Sequence, residues 1–285
     1  MKRGTATKQI TEGVIWKQIL AFFFPILLGT FFQQMYNTVD TIIVGRFVST
    51  QALAAVGTTG PLVNIFNGFF TGLGSGATVI LAQFYGAGNK QGVRDTLHTG
   101  VTLSLLLGLL IMVLGIGLVP VALKWMHTPA DCLDMASLYV RVYFAGALAS
   151  MLYNMEAGLL RAMGDSQRPV ISLIVACLVN IVMDLVLVVG LKMGVAGAAL
   201  ATVISQVVSA VMLLVVLLRE KENPLELSRL GIQPKLLRRI LAIGVPAVLL
   251  RLRKNGLPPS VIGLRFMENW ALCTKDAYPS KQKKG

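Results

Sequence analysis

The sequence predicts an all-α, polytopic membrane protein. Of its 285 residues, 55% are hydrophobic and only 14% are charged, whereas charged residues make up about 25% of an ordinary soluble domain. The apolar residues form runs long enough to cross a bilayer, which takes roughly 20 residues per helix. Short basic segments separate these runs, and no run alternates polar and apolar residues like a strand. Together these observations predict a bundle of transmembrane helices.

Six apolar runs define the predicted spans, and together they form a predicted six-helix lobe over 15–218. The runs occupy 15–44, 52–84, 101–123, 138–160, 170–191 and 195–218. The first run follows a basic segment, 1–14, without the small-residue cleavage site of a signal peptide, so we expect it to remain as a span. The second run is rich in glycine, which is compatible both with helix bending and with close helix packing.

The distribution of positive charge predicts the orientation of the bundle. If the N-terminal segment is cytoplasmic, the cytoplasmic segments up to Leu250 carry fourteen Lys and Arg residues and the outer segments carry four. Cytoplasmic loops are the ones enriched in Lys and Arg. We therefore expect 1–14 and the basic loop 219–238 to be cytoplasmic, in a multi-pass protein of the plasma membrane.

A seventh helix begins after that loop. Residues 239–250 are apolar for about three turns, and the basic segment 251–285 that follows lacks a helical period. We expect this tail to be disordered or attached to anionic lipid. The heptapeptides ILAFFFP at 19–25 and ILAIGVP at 240–246 share four residues, which favours a duplicated six-helix unit. A truncation or frame shift after about residue 250 would produce this pattern.

Other function classes are disfavoured. The net charge of +13 would suit nucleic acid, but the basic residues lie between apolar runs and in the tail, so we expect no nucleic-acid binding. Cys132, Cys177 and Cys273 are far apart, and His98 and His127 lie in different segments. This spacing predicts neither a disulfide framework nor a metal site. Without a nucleophile–base pair, we expect no enzyme activity and no cofactor.

Four polar residues within the spans are candidates for ion binding. Asp184 lies inside the fifth run, and Asn180 lies four residues earlier on the same helix face. Asp40 lies near the outer end of the first run. Thr202 in the sixth run is followed four residues later by Gln206. Charged residues at such positions are costly in the membrane and usually functional.

The predicted depths of these residues agree. Counted at 1.5 Å per residue, Asp184 and Thr202 lie about 12 Å below the outer boundary and Asp40 lies about 9 Å below it. Two carboxylates meeting in this layer would share a proton, because repulsion disfavours the doubly charged pair. This chemistry suits a proton-coupled carrier. An inert polar cluster that fixes helix packing is the alternative.

Glu156 is interpreted differently. It lies near the cytoplasmic end of the fourth run, close in sequence to Arg161. Long charged side chains at such positions reach the interface. We expect Glu156 to be an interfacial glutamate in contact with water.

Three segments resemble the multidrug and toxic compound extrusion (MATE) family. They are QQMYNTVDTIIVGRF at 33–47, GLLRAMGDSQRP at 158–169 and GVAGAALATVISQ at 194–206. The resemblance covers roughly 10–248, the N-terminal half of such a transporter. It implies one lobe of a twelve-helix, inverted-V structure that exports cationic or amphiphilic compounds in exchange for H⁺ or Na⁺. We expect H⁺ rather than Na⁺ as the coupling ion.

The resemblance also assigns roles to single residues. Asp40, Asn180, Asp184 and Thr202 match the family positions that bind the coupling cation or proton. Further candidates for the substrate path or for support of this network are the polar residues around the first motif and on the sixth helix: Gln33, Gln34, Tyr36, Asn37 and Gln206.

Several functions remain open at this point. A six-helix half of an antiporter would have to pair with a second six-helix half, because alternating access moves one lobe against the other. An inactive or structural membrane fragment is the second hypothesis. A flippase for lipid-linked sugars is the third, although few basic residues besides Arg141 lie within the spans.

Overall fold

The computed structural model describes residues 15–126, 128–220 and 223–254. All regular elements in these ranges are helices, and no strand occurs among them. The predicted all-α fold is therefore confirmed. The N-terminal segment 1–14 and the tail from residue 255 onward, including the expected disorder of that tail, lie outside the described residues.

The helices follow the predicted runs in order. They are α1 Ile15–Phe47, α2 Thr50–Gly86, α3 Lys90–Trp125, α4 Ala130–Ala145, α5 Ala147–Ala162, α6 Gln167–Asp184, a π-helix at Leu185–Gly190, α7 Gly194–Leu218, a 3₁₀-helix at Leu227–Arg229 and α8 Pro234–Lys254.

Five of these units have the length and apolarity of membrane spans. Among the described residues, α2, α3, α6 with its π-helical end, and α7 qualify singly, and α4 with α5 qualifies as one bent span. The remaining predicted span is α1, whose 33 residues would extend about 50 Å. That α1 crosses the membrane stays a prediction.

The helix connections divide the bundle into two ends. The basic end contains the α2–α3 and α5–α6 turns and the linker after α7, where Arg168 of α6 bonds Glu220 at 2.9 Å. The far end contains the α1–α2, α3–α4 and α6–α7 turns. Short capped turns reverse the chain at both ends. Ser49 caps α2 by accepting a hydrogen bond from the Ala52 amide at 3.0 Å. Asn89 caps α3 by accepting a hydrogen bond from the Gly92 amide at 2.9 Å.

The fourth span is bent rather than continuous as predicted. It breaks at Gly146 into α4 and α5, which meet at an angle of 48°. At Gly146 a Cβ atom would lie 2.8 Å from a methyl group of Val203 on α7. The absence of a side chain at Gly146 thus allows the junction to approach α7 closely.

The apolar residues serve both an internal core and an external surface. The buried cluster includes Phe70, Leu97 and Leu159. The middle of α3 exposes a row of large apolar side chains, among them Leu110 and Val113. An apolar residue pattern on both faces is expected for a helix that packs inward and contacts lipid outward.

The seventh helix is longer than predicted. This helix, α8, runs over Pro234–Lys254 rather than 239–250, so it includes the last residues of the predicted basic loop and the first four of the predicted tail.

The helix α8 packs against α2 at two glycines. A Cβ atom at Gly72 or Gly76 would collide with the backbone of α8. Close packing therefore explains these two glycines of the second span, whereas Gly57 has no neighbour within 4 Å.

The linker between α7 and α8 is fastened to α3. The His98 ring accepts a hydrogen bond at Nε2 from the Glu226 amide at 3.1 Å. Its Nδ1 lies 2.7 Å from the Arg94 carbonyl and therefore donates the other bond. The hydroxyl of Thr99 accepts from the Gln233 amide at 3.3 Å. The segment predicted as a basic loop is thus a packed structure on the basic end.

Candidate functional site

The four predicted ion-binding residues lie inside the lobe on three helices. Asp40 of α1 is 7% exposed, Asn180 and Asp184 of α6 are fully buried, and Thr202 of α7 is 3% exposed. α1 packs mainly against α6 and also contacts α7. The fold therefore gathers polar side chains that are separated by up to 162 positions in the sequence.

A hydrogen bond joins two of these helices directly. The Tyr36 hydroxyl on α1 donates to Oγ1 of Thr202 on α7 at 3.0 Å. The Thr202 hydroxyl in turn donates to the Ala198 carbonyl at 3.1 Å, so its donor and one acceptor position are both used. Tyr36 precedes Asp40 by one turn on the same helix face. This bond fixes α1 next to α7 at the level of the carboxyl group.

The two carboxyl groups share one polar layer. Asp40 and Asp184 are both buried on α1 and α6, two helices that pack against each other. Among the described residues, one oxygen of Asp40, both oxygens of Asp184 and both amide atoms of Asn180 have no hydrogen-bond partner. Buried polar atoms are normally hydrogen-bonded, and an unpaired buried charge is strongly disfavoured. The cluster therefore has the chemistry to bind a proton or a small cation.

The helix that carries Asn180 and Asp184 changes its winding immediately after the site. Residues Leu185–Gly190 form a π-helix, and the Leu191 amide donates to the Val186 carbonyl at 2.8 Å. Segments of π-helix are frequent at functional sites. The sequence did not predict this segment, because LVLVVG has the same apolar character as an α-helical span. The α-helical rise of 1.5 Å per residue consequently does not apply to Leu185–Gly190, and the depth of Asp184 stays a prediction.

Two tyrosines belong to the site and were not predicted. Tyr139 is 7% exposed on α4, which packs against α7, the helix that carries Thr202. Its ring stacks on that of Tyr143, with centroids 6.5 Å apart and planes at 19°. The Tyr143 hydroxyl bonds Oδ1 of Asn67 on α2 at 3.2 Å. A pair of tyrosines four residues apart within an apolar run is the sequence signal that could have indicated them.

The other predicted candidates are more exposed than the four residues of the buried cluster. Gln33, Gln34 and Asn37 lie on exposed positions of α1, and Gln206 is half-buried on α7. Tyr36 is the member of this group that bonds a residue of the buried cluster. The exposed three remain predictions for the substrate path.

The interpretation of Glu156 as a water-contacting interfacial residue is wrong. Its side chain is 0% exposed, and neither carboxyl oxygen has a hydrogen-bond partner among the described residues. The sequence distance from Arg161 predicted the depth of Glu156 along the helix. The helix face on which it lies is set by packing and was not predicted.

The comparisons with known proteins agree with this fold. A family model described as MatE matches residues 25–186, more than half of the chain. The protein named probable multidrug resistance protein YoeA of Bacillus subtilis is 32% identical over 249 residues, which are 85% of this chain and 54% of that protein. The probable multidrug resistance protein NorM of Listeria monocytogenes is 29% identical over 170 residues, 60% of this chain and 37% of NorM.

Solved structures give the same result. A crystal structure of MATE in the bent conformation superimposes with a TM-score of 0.80 at 30% identity, covering 87% of this chain and 56% of that one. An outward-facing multidrug resistance MATE transporter of the MOP superfamily gives 0.80 at 29% identity, covering 88% and 56%. The chain spans about half the length of the relatives that it matches. It belongs to the MATE family of multi-pass membrane transporters.

Proposed function

We propose that this chain forms the N-terminal lobe of a secondary transporter that exports cationic or amphiphilic small molecules in exchange for H⁺. In this proposal the basic end faces the cytoplasm, the far end faces outward, and the protein lies in the plasma membrane. The predicted bias of Lys and Arg toward the basic end supports this orientation. The substrate class rests on the multidrug resistance names of the relatives.

The observation that carries the proposal is the enclosed carboxyl pair. Asp40 and Asp184 are buried on two helices that pack together, and both retain oxygens without a partner among the described residues. A group that serves packing alone gains nothing from such oxygens, since unsatisfied buried atoms destabilise a fold. A site that alternately binds and releases an ion needs carboxyl oxygens that are free for part of the transport cycle.

Proton binding provides a route to movement of α1. One proton on the pair removes the repulsion between Asp40 and Asp184 and lowers the cost of enclosing them. The Tyr36–Thr202 bond then determines how far α1 moves relative to α7. An ion shifts a conformational equilibrium only through different affinities for the two states. We therefore place the coupling energy in the contact of α1 with α6 and α7.

The proposal favours H⁺ over Na⁺ on the basis of the ligand set. Two carboxyl groups that compete for one proton provide a site without further ligands. A sodium ion would need the Asn180 and Thr202 oxygens as additional ligands, and the Thr202 oxygen already takes part in two hydrogen bonds. Exchanging Na⁺ for choline in the medium distinguishes the two ions.

Drug efflux tests this proposal. The 285-residue chain is expressed in a drug-sensitive host, alone and together with the second half of YoeA, and membrane insertion and co-purification are verified. We expect the assembled pair to expel a fluorescent cationic dye when a proton gradient is present, and we expect Asp40→Asn to abolish that efflux. Asp95→Asn at the basic end is the matched control and should retain it. A co-purified pair that fails to expel dye, or that expels it equally well with Asp40→Asn, contradicts the proposal.

A further inference from the structure

Glu156 is a second enclosed carboxyl group, separate from the Asp40–Asp184 pair. It lies on α5, five residues before Arg161 at the basic end, whereas Asp184 is followed by the turn at the far end. The stretch 155–160 of α5 is buried throughout, since α5 packs against α2, α3 and α7. Glu156 is thus surrounded by protein on every side of its helix.

No group in the described part of the chain compensates this carboxyl. Neither oxygen has a hydrogen-bond partner, and the ion pairs of the described residues join Arg168 and Arg229 to other carboxylates. On α5 itself, Arg161 lies five residues after Glu156 and therefore on a different helix face. The Asn154 amide is likewise directed elsewhere, because it donates to the Ser150 carbonyl at 2.8 Å.

Such an environment strongly disfavours the ionised form of Glu156 in this conformation. A carboxylate without a partner is strongly disfavoured in an enclosed site, and the group takes up a proton instead. A neutral acid that bonds to nothing also contributes little to packing. Acidic residues within a span are rare, because they are costly to insert, and those that occur are usually functional. A proton-binding role accounts for both the position and the missing partners.

A short path connects Glu156 with the basic end. Leu160 follows it by one turn on the same helix face, and Gly164 follows four residues after Leu160. Leu160 is buried and Gly164 is exposed, just after the end of α5 at Ala162. About two helical turns therefore separate the enclosed carboxyl from the exposed end of the lobe.

We propose that Glu156 is a second proton-binding site of the lobe and exchanges its proton with water at the basic end. In the exchange, the O–H bond of the carboxylic acid breaks, the proton passes to a water molecule and the carboxylate remains until a proton returns. No other reactant is needed. A part for this site in coupling rests on the proposed export function, but the exchange of its proton does not.

Infrared spectroscopy of the purified chain in lipid nanodiscs tests this inference. Protonated carboxylic acids have a carbonyl stretch separate from that of carboxylates, and Asp40→Asn/Asp184→Asn removes the other enclosed pair from the spectrum. We expect one acid band at neutral pH that shifts in D₂O, weakens reversibly at alkaline pH and is lost in Glu156→Gln. Glu220→Gln, which removes the partner of Arg168 at the surface, should leave the band unchanged.

A second measurement covers the case in which Glu156→Gln does not fold. Labelling glutamate with carbon-13 in the Asp40→Asn/Asp184→Asn protein should shift the acid band, which assigns it to a glutamate. The absence of a glutamate acid band at neutral pH overturns the inference. A band that responds neither to D₂O nor to alkaline pH overturns it as well, because it would show a sealed acid that does not exchange. Since the band is measured without transport, failure of the proposed export leaves this test intact.

Discussion

Tyr36 joins two helices of the candidate ion site. Its hydroxyl bonds Thr202 at 3.0 Å, one turn before the enclosed Asp40. The sequence indicated Asp40, Asn180, Asp184 and Thr202, because polar residues stand out in apolar runs. It did not indicate how Tyr36 and Thr202 pair, since that depends on the rotation of α1 and α7 about their axes.

A double-mutant cycle tests this bond. Tyr36→Phe and Thr202→Val should each destabilise the purified chain, and their coupling energy should be about 1 kcal/mol, the net value of an ordinary hydrogen bond. Thermal unfolding in nanodiscs measures it. Tyr85→Phe combined with Thr202→Val is the control pair and should be additive. A coupling energy of zero between Tyr36 and Thr202 would show that the bond does not form.

At the scale of elements, the course of the helices was predicted better than their irregularities. Long apolar runs fix the existence of spans, because a bilayer allows little else. The break at Gly146 and the π-helix at Leu185–Gly190 depend on contacts between helices. Glycine and apolar residues occur equally in straight spans, so the local sequence contains no signal for either feature. The burial of Glu156 was missed because it also depends on the packing between helices.

Two glycines of α2 provide a test of the contact with α8. Gly76→Ala places a Cβ atom against the α8 backbone, whereas Gly57→Ala has no neighbour within 4 Å. We expect Gly76→Ala to lower the free energy of unfolding by about 1–3 kcal/mol, the usual cost of overpacking. Gly57→Ala should be neutral or stabilising by up to about 1 kcal/mol, since alanine favours the helix. Equal effects of the two substitutions on chemical denaturation would refute the close packing of α2 and α8.

The linker contact with α3 gives a separate prediction. His98→Ala removes the acceptor of the Glu226 amide, so hydrogen exchange at that amide should accelerate by about tenfold, equivalent to about 1.4 kcal/mol. Thr102→Ala is the control, because the Thr102 hydroxyl bonds the His98 carbonyl within its own helix at 2.8 Å. Unchanged protection of the Glu226 amide in His98→Ala would mean that the linker is held by other contacts.

At the scale of the whole molecule, the charge distribution predicts the orientation. Single cysteines replacing Lys124 or Lys192 at the far end should react with a membrane-impermeant reagent added outside intact cells. Cysteines replacing Lys90 or Arg168 at the basic end should react only after the cells are opened, because Lys and Arg favour the cytoplasmic side. The protein's own cysteines are first replaced by serine or alanine. The reverse labelling pattern would contradict the proposed topology.

The central claim is that Asp40 and Asp184 bind one coupling ion as a unit. Proton release on dye binding measures this directly, in weakly buffered nanodiscs that contain the chain assembled with the second half of YoeA. We predict about one proton released per dye bound, because ligands that compete through one site are linked reciprocally. Asp40→Asn and Asp184→Asn should each abolish the proton release. The double variant should give the same result as each single variant. The control Asp95→Asn should release as many protons as the unsubstituted chain. Release that persists in a single variant, or that falls by half in each, would show two independent carboxyl groups and contradict the claim.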